Sequence, residues 1–207
     1  MKKMLMLPMI LLFVWPQLKT YSQSDNAHQR EVNKERNEKQ VMMKDESTSP
    51  LTEEQRLKFD SLSYFPINDE FKITAEWYPS ERSEPVTLQT SSGGEMQLEK
   101  TGSVRFEYGG EVYSLDVFAS DKLPEFQGSG DIYFIPFMDQ TSGRESNGSG
   151  RYVRVDPVEG EDKLELDFNR SINPFSAYNE KYSGLVPPPG NRLMFSVVSG
   201  ERKYEHR

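Results

Sequence analysis

The chain has 207 residues, 35% of them hydrophobic and 28% charged, with a formal net charge of -8 and a pI near 5.0. That length suits one domain with a real core. An acidic chain without a basic stripe argues against a nucleic acid or an anionic membrane surface as partner, and with no cysteine the chain has neither disulfides nor a thiol for lipid attachment.

In chain order, Lys2 and Lys3 supply a positive start, Met4 to Trp15 an apolar stretch broken by Pro8, and Thr20-Tyr21-Ser22 a small-x-small site before Gln23. This is the layout of an export signal. The apolar run is shorter than the roughly 20 residues of a spanning helix. The sequence therefore predicts a signal peptide over 1–22 cleaved after Ser22, a periplasmic or secreted product, and no stable membrane span afterwards; the alternative is an uncleaved anchor. Residues 23–49 follow as a polar, charged arm, helical or disordered, whose only apolar candidates are Val32, Val41, Met42 and Met43. Without an apolar stripe it is expected to be solvated and to act as a spacer.

A short helix is signalled next. Thr52 and Gln55 have the spacing of a capping box, Glu53 and Glu54 suit the positive end of the helix dipole, and Leu57 and Phe59 are expected to face the body. From Tyr64 the period becomes two: Phe71, Ile73, Ala75 and Trp77 alternate with Lys72, Thr74 and Glu76. Glycine-rich turns recur, and 103–118 reads as a hairpin about Gly109-Gly110. Further strands are predicted at 132–137, 151–155, 163–168 and 193–198. The fold class is mainly β, a barrel-like or sandwich domain of about eight or nine short antiparallel strands over 50–204, preceded by the signal peptide and helical arm and followed by a 205–207 tail.

Two apolar runs, Ile132 to Met138 and Leu164 to Phe168, each bring a carboxylate, Asp139 and Asp167, to or near their ends. Polar residues at strand ends are a common way to furnish a site. Three constellations follow. Asp139, Glu145, Arg151 and Asp167 are either paired carboxylates for acid–base work, with Glu145 or Asp167 as the catalytic group, or a structural ion network. Ser142 to Arg151 is either an anion-holding loop with Arg144 and Arg151 as counter-charges or a plain hairpin loop. Asn169, Asn173 and Asn191 with Tyr178 and Tyr182 are either a site for a polar small molecule or the internal bonding of a long irregular connection, Ile172 to Asn191.

The two histidines, His28 and His206, lie near opposite ends of the chain and leave no partner for a Ser-His-Asp arrangement or a histidine-rich metal centre. No calcium loop is present. Neither a metal nor a cofactor is expected.

The series SPLTEEQ, YFPIND, FKITAEW, YFIPFMDQTSGRES, GSGRY, LDFNRSINPFSAY, PPPGNRL and SGERKY resembles the bacterial domain of unknown function 1684 family over roughly residues 43 to 204. The resemblance aligns Asp139, Thr141, Glu145, Arg151, Tyr152, Asp167, Asn169, Asn173, Tyr178 and Asn191 with the family pattern. Where that pattern has two cysteines, this chain has Ser176 and Gly184, so it reads as a divergent member. The resemblance implies no reaction. The leading expectation is an exported binding or accessory module with a polar pocket for a small polar or anionic ligand, formed from those ten residues. A carboxylate-based hydrolase or lyase using Glu145 or Asp167 with Arg151 is one alternative; a structural envelope protein that binds another protein is the second.

Overall fold

A computed structural model describes residues 15–121, 123–126 and 131–205, with side chains from Ala27 onward. The first fourteen residues of the expected signal peptide lie outside the described residues, as do the last two of the tail.

Helix α1, Trp15–Lys44, leads into the capped helix α2, Glu53–Lys58. Six antiparallel strands follow: β1 Lys72–Gln89, β2 Glu95–Tyr108, β3 Glu111–Ser120, β4 Ile132–Phe137, β5 Arg151–Arg154 and β6 Lys163–Asp167. They form one sheet in the order β5-β4-β3-β2-β1-β6, curled so that β5 comes near β6 as in half a barrel. The mainly β, barrel-like expectation holds. The strand number is smaller than expected: the 193–198 segment forms no strand, and residues 72–89 and 95–108 run as two long strands, β1 and β2, rather than as several short ones.

Local chemistry explains the long ribbon. Gly109 and Gly110 both have positive φ, +62° and +83°, as a two-residue turn with the hand of the strand twist requires. They close β2 onto β3 in the register Tyr108↔Glu111. Phe71, just before β1, and the alternate β1 residues Ala75 and Trp77 fill one face of the sheet, packing with Val104, Phe106, Leu115, Val117, Ile135 and Phe137. A second cluster, Leu98, Phe118, Phe134, Tyr152 and Leu185, covers the other face. With apolar packing on both sides, β4 reads IYFIPF rather than alternating.

Three local expectations are corrected. The 193–198 segment is irregular, since its backbone bonds to loops and side chains instead of a ladder: Leu193 N–H donates to Met138 O at 2.8 Å, and Gln140 N–H to Phe195 O at 3.1 Å. The capping box of α2 is present, yet Leu57 is 77% exposed and only Phe59 of the pair packs inward.

The third correction concerns the arm, which is helical but docked rather than solvated. His28, Val32, Met42 and Met43 are buried. The two methionines pack on Leu51, Leu62, Phe175 and Tyr178. Otherwise the helix is held by charge. His28 Nε2 lies 2.7 Å from Asp167, Lys39 Nζ 2.8 Å from Glu201, and Arg170 of the body reaches Glu31 at 2.9 Å as well as Glu35. Hydrophobic periodicity is blind to a helix docked in this way, because the residues that fix it are the polar ones.

Candidate functional site

The polar strand ends do gather, and what they surround is a segment of the same chain. Residues 197–203 thread between the loop after β4, the turn after β6 and α1, and three buried nodes hold them.

The first node is Arg151, fully buried at the start of β5 where it pairs with Phe137. Its Nη2 donates to Asp139 Oδ2 and to Val197 O, both at 2.9 Å; its Nη1 donates to Ser199 O and Glu201 O. The rings of Phe137 and Phe65 lie 5.2 and 5.8 Å from the guanidinium. Asp139 Oδ1 accepts from Thr141 N–H at 2.7 Å and from Val197 N–H at 3.3 Å. Burial pushes the Arg151 pKa down and Asp139 opposes the shift, which fits a charge kept inside by its partner. Thr141 is buried against Ser146, with 2.7 Å between hydroxyls.

The second node is Asp167, 3% exposed. Its Oδ1 accepts from the backbone and side-chain N–H of Asn169 at 3.0 and 2.8 Å, capping the turn Phe168–Arg170; its Oδ2 meets His28 and Arg170. Asn169 is saturated in turn by both backbone groups of Asn68 and by Ser199 Oγ at 2.6 Å. His28 Nδ1 lies 3.4 Å from Asp69 without a hydrogen bond, while its Nε2 is held by Asp167.

The third node is Glu201, 1% exposed, which accepts from Asn173 N–H at 3.1 Å, Asn173 Nδ2 at 3.0 Å, Lys39 and the Tyr178 hydroxyl. Burial, reinforced by Glu201, drives the Tyr178 hydroxyl well above the ordinary phenol range and keeps it a donor. Between these nodes the chain passes so close that a Cβ on Gly200 would fall 2.7 Å from Phe168 O; with φ +76°, this position admits only glycine.

Two residues of the expected site lie in other structural roles. Tyr152 is buried and donates to Leu185 O at 3.1 Å. Asn191 bridges β3 and β4 where Pro136, lacking an N–H, cannot serve Asp116: its Nδ2 donates to Asp116 O and Pro136 O, each at 2.9 Å, and its Oδ1 accepts from Asp116 N–H at 2.7 Å. The irregular 172–191 connection is thus largely bonded within the fold. Of the ten expected ligand-binding residues only Glu145 is exposed. In this conformation Asp139, Thr141, Arg151, Tyr152, Asp167, Asn173, Tyr178 and Asn191 line none of the hollows described below, and Asn169 lines only a small cavity against α1. Glu145, Arg151 and Asp167 do not converge on a shared cleft, which removes the geometry that the hydrolase or lyase alternative needs. Among the described residues no group of three or more His, Asp or Glu is placed to hold a metal ion.

A larger hollow beside these nodes is a cleft of about 300 Å³ where α2 and its linker, the loop after β4 and the 197–203 segment meet. Lys58, Arg144, Arg202 and Lys203 line it together with Ser61 and Ser63 and with three carboxylates, Asp60, Glu145 and Glu205. Arg202 is stacked 5.0 Å from the Phe65 ring, and Lys203 N–H donates to Glu145 O at 2.9 Å. Sequence reasoning found Arg144 and Glu145 here and missed the rest. Lys58 ends the predicted helix α2, whose capping pattern says nothing of a site, and Arg202 and Lys203 come from a segment whose one signal is the SGERKY motif. It also missed Glu201 and the docking role of His28 and Lys39. Wider hollows lie along the outer face of α1 near Val41 and beside Pro187 to Pro189, but neither collects cations in this way.

The comparisons with known proteins follow the same outline. The chain matches the family described as "Protein of unknown function (DUF1684)" over residues 57–202. It is similar to the solution structure of an uncharacterized protein of Haloarcula marismortui, with 30% sequence identity, a TM-score of 0.66, and coverage of 87% of this chain and 96% of that one. No curated protein matches. A Cβ on Gly184 would stand 2.4 Å from Ser176 Oγ, so the two positions where the family pattern has cysteines lie within side-chain reach of each other. Sequence, fold and this paired departure place the chain in the DUF1684 family as a member that has replaced its two cysteines.

Proposed function

We propose that the domain is a binding module for a small anionic ligand, held in the cleft of Lys58, Arg144, Arg202 and Lys203. The observation that carries this reading is the convergence of four cations and two serine hydroxyls in one hollow, outnumbering its three carboxylates, Asp60, Glu145 and Glu205, in a chain whose net charge is -8. About 300 Å³ is at the small end of ligand sites. The cleft floor rests on the Arg151 and Glu201 nodes, which fix residues 197–203 and so pre-set the Arg202 and Lys203 backbones. Inorganic phosphate and citrate are expected to raise the melting temperature at fixed ionic strength, with a neutral disaccharide doing nothing. The variant R144A/R202A is expected to keep its fold and lose that response. A melt indifferent to every anion would discard the cleft as a site.

We also propose that the module works outside the cytoplasm. Support comes from the Lys2-Lys3 start, the apolar run and the small-x-small site. Cleavage after Ser22 leaves every α1 contact described above intact, since the first is made by His28. The intact mass of the protein recovered from its native cells is expected to correspond to a chain starting at Gln23. A mass retaining residues 1–22 would refute processing at this site.

A further inference from the structure

The seam between α1 and the sheet domain contains a cavity of about 50 Å³, with Val32, Glu35, Arg36 and Lys39 of α1 on one side and Tyr64 and Asn169 among the body residues on the other. Room on that scale suits one guest little larger than a water molecule. Two donors on its walls, Arg36 Nε and the Tyr64 hydroxyl, are buried without a hydrogen-bond partner. Such groups are costly to leave unmet, and a charged one most of all.

The charges around the cavity are unequally answered. Lys39 is paired with Glu201, and Arg170 with Glu31, Glu35 and Asp167. Arg36 is different: its two terminal nitrogens donate to backbone carbonyls, Phe65 O at 3.1 Å and Asn169 O at 3.3 Å, and its guanidinium lies 4.5 Å from the Tyr64 ring. No carboxylate accepts from it. Burial, with Glu201 adding to it, raises the Tyr64 pKa far above the phenol range, so the hydroxyl keeps its proton and remains able to donate. Asp167 and Glu201 act on the Arg36 charge only through space; a water molecule would answer both donors, and an anion would in addition pair directly with the guanidinium.

We propose that this seam binds a monovalent anion of halide size between Arg36 and Tyr64, fastening α1 to the domain. The guest accepts from Arg36 Nε–H and Tyr64 O–H, and Val32 gives it an apolar wall. The site is separate from the cleft of Lys58, Arg144, Arg202 and Lys203, and stands whether or not that cleft binds an anion.

The test has two arms on the full chain. Crystals soaked in sodium bromide are expected to show an anomalous peak in contact with Arg36 Nε and the Tyr64 hydroxyl. In solution, replacing sodium gluconate by sodium chloride or bromide at fixed ionic strength is expected to raise the melting temperature saturably, by roughly 3–6 °C at ten times the dissociation constant. Tyr64→Phe, which removes one donor and little volume, is expected to move the half-effect concentration up about tenfold, while R144A/R202A leaves it unchanged. Scattering from water alone at the seam, together with a melt unaffected by the gluconate-to-halide exchange, would overturn the proposal. So would an undiminished halide response in Tyr64→Phe.

Discussion

Replacing Arg151 by methionine is expected to lower the unfolding free energy by about 3–5 kcal/mol, and the melting temperature by roughly 6–20 °C for a domain of this size. The substitution keeps most of the volume against Phe137 and Phe65 but strands a buried carboxylate at Asp139 and three carbonyls, those of Val197, Ser199 and Glu201. Such a loss is a large fraction of the 5–15 kcal/mol typical of a folded domain. The double variant R151M/D139L is expected to be less damaged than the two single effects summed, because it leaves no lone charge, yet still well below the parent, because the carbonyls have lost their donor. Urea unfolding of the four proteins measures both points. A cost under about 1 kcal/mol for R151M would mean that residues 197–201 are held by something other than this guanidinium.

Stability is also expected to collapse on the alkaline side. Tyr64, Tyr152 and Tyr178 all have pKa values raised above 10.0, with burial the first cause in each. In the unfolded chain the same phenols ionise near 10. Above that pH the unfolded state releases protons that the native state retains, so stability, constant with respect to these groups below pH 10, falls as the pH rises toward their folded values. Each group contributes about 1.4 kcal/mol per pH unit, and the three together roughly 4. Tyrosinate absorbance is expected to show these three of the ten tyrosines titrating only as the protein unfolds. Tyr152→Phe is expected to reduce the alkaline slope by about a third. Titration of all ten in the folded protein would contradict the burial of these hydroxyls.

The strands were legible where one face meets the core and the other meets water, as from Phe71 to Trp77, and the hairpin was legible because two glycines mark its turn. Both signals are local. The strand ends were legible as places where polar groups collect, and Asp139, Arg151, Asp167, Asn169 and Asn173 do meet. What occupies the space between them was not legible. Residues 197–203 are a short irregular segment far from Asp139 in sequence, and a carbonyl that satisfies an arginine leaves no trace in composition. Helix α1 was misjudged for a related reason: His28 and Lys39 look solvated when read one by one, and only the positions of Asp167 and Glu201 show that each has an answering carboxylate. A buried polar network and an open polar pocket draw on the same residue types, and only the path of the intervening backbone separates them.

The segment running from Val197 to Lys203 is synthesised after every group that grips it. A nascent chain thus carries Arg151, Asn169 and Asn173 before the carbonyls, hydroxyl and carboxylate of 197–203 that they bind have been made, and the sheet's polar end has nothing to close around until that segment emerges. Closure of the polar end therefore comes only after all six strands have been made.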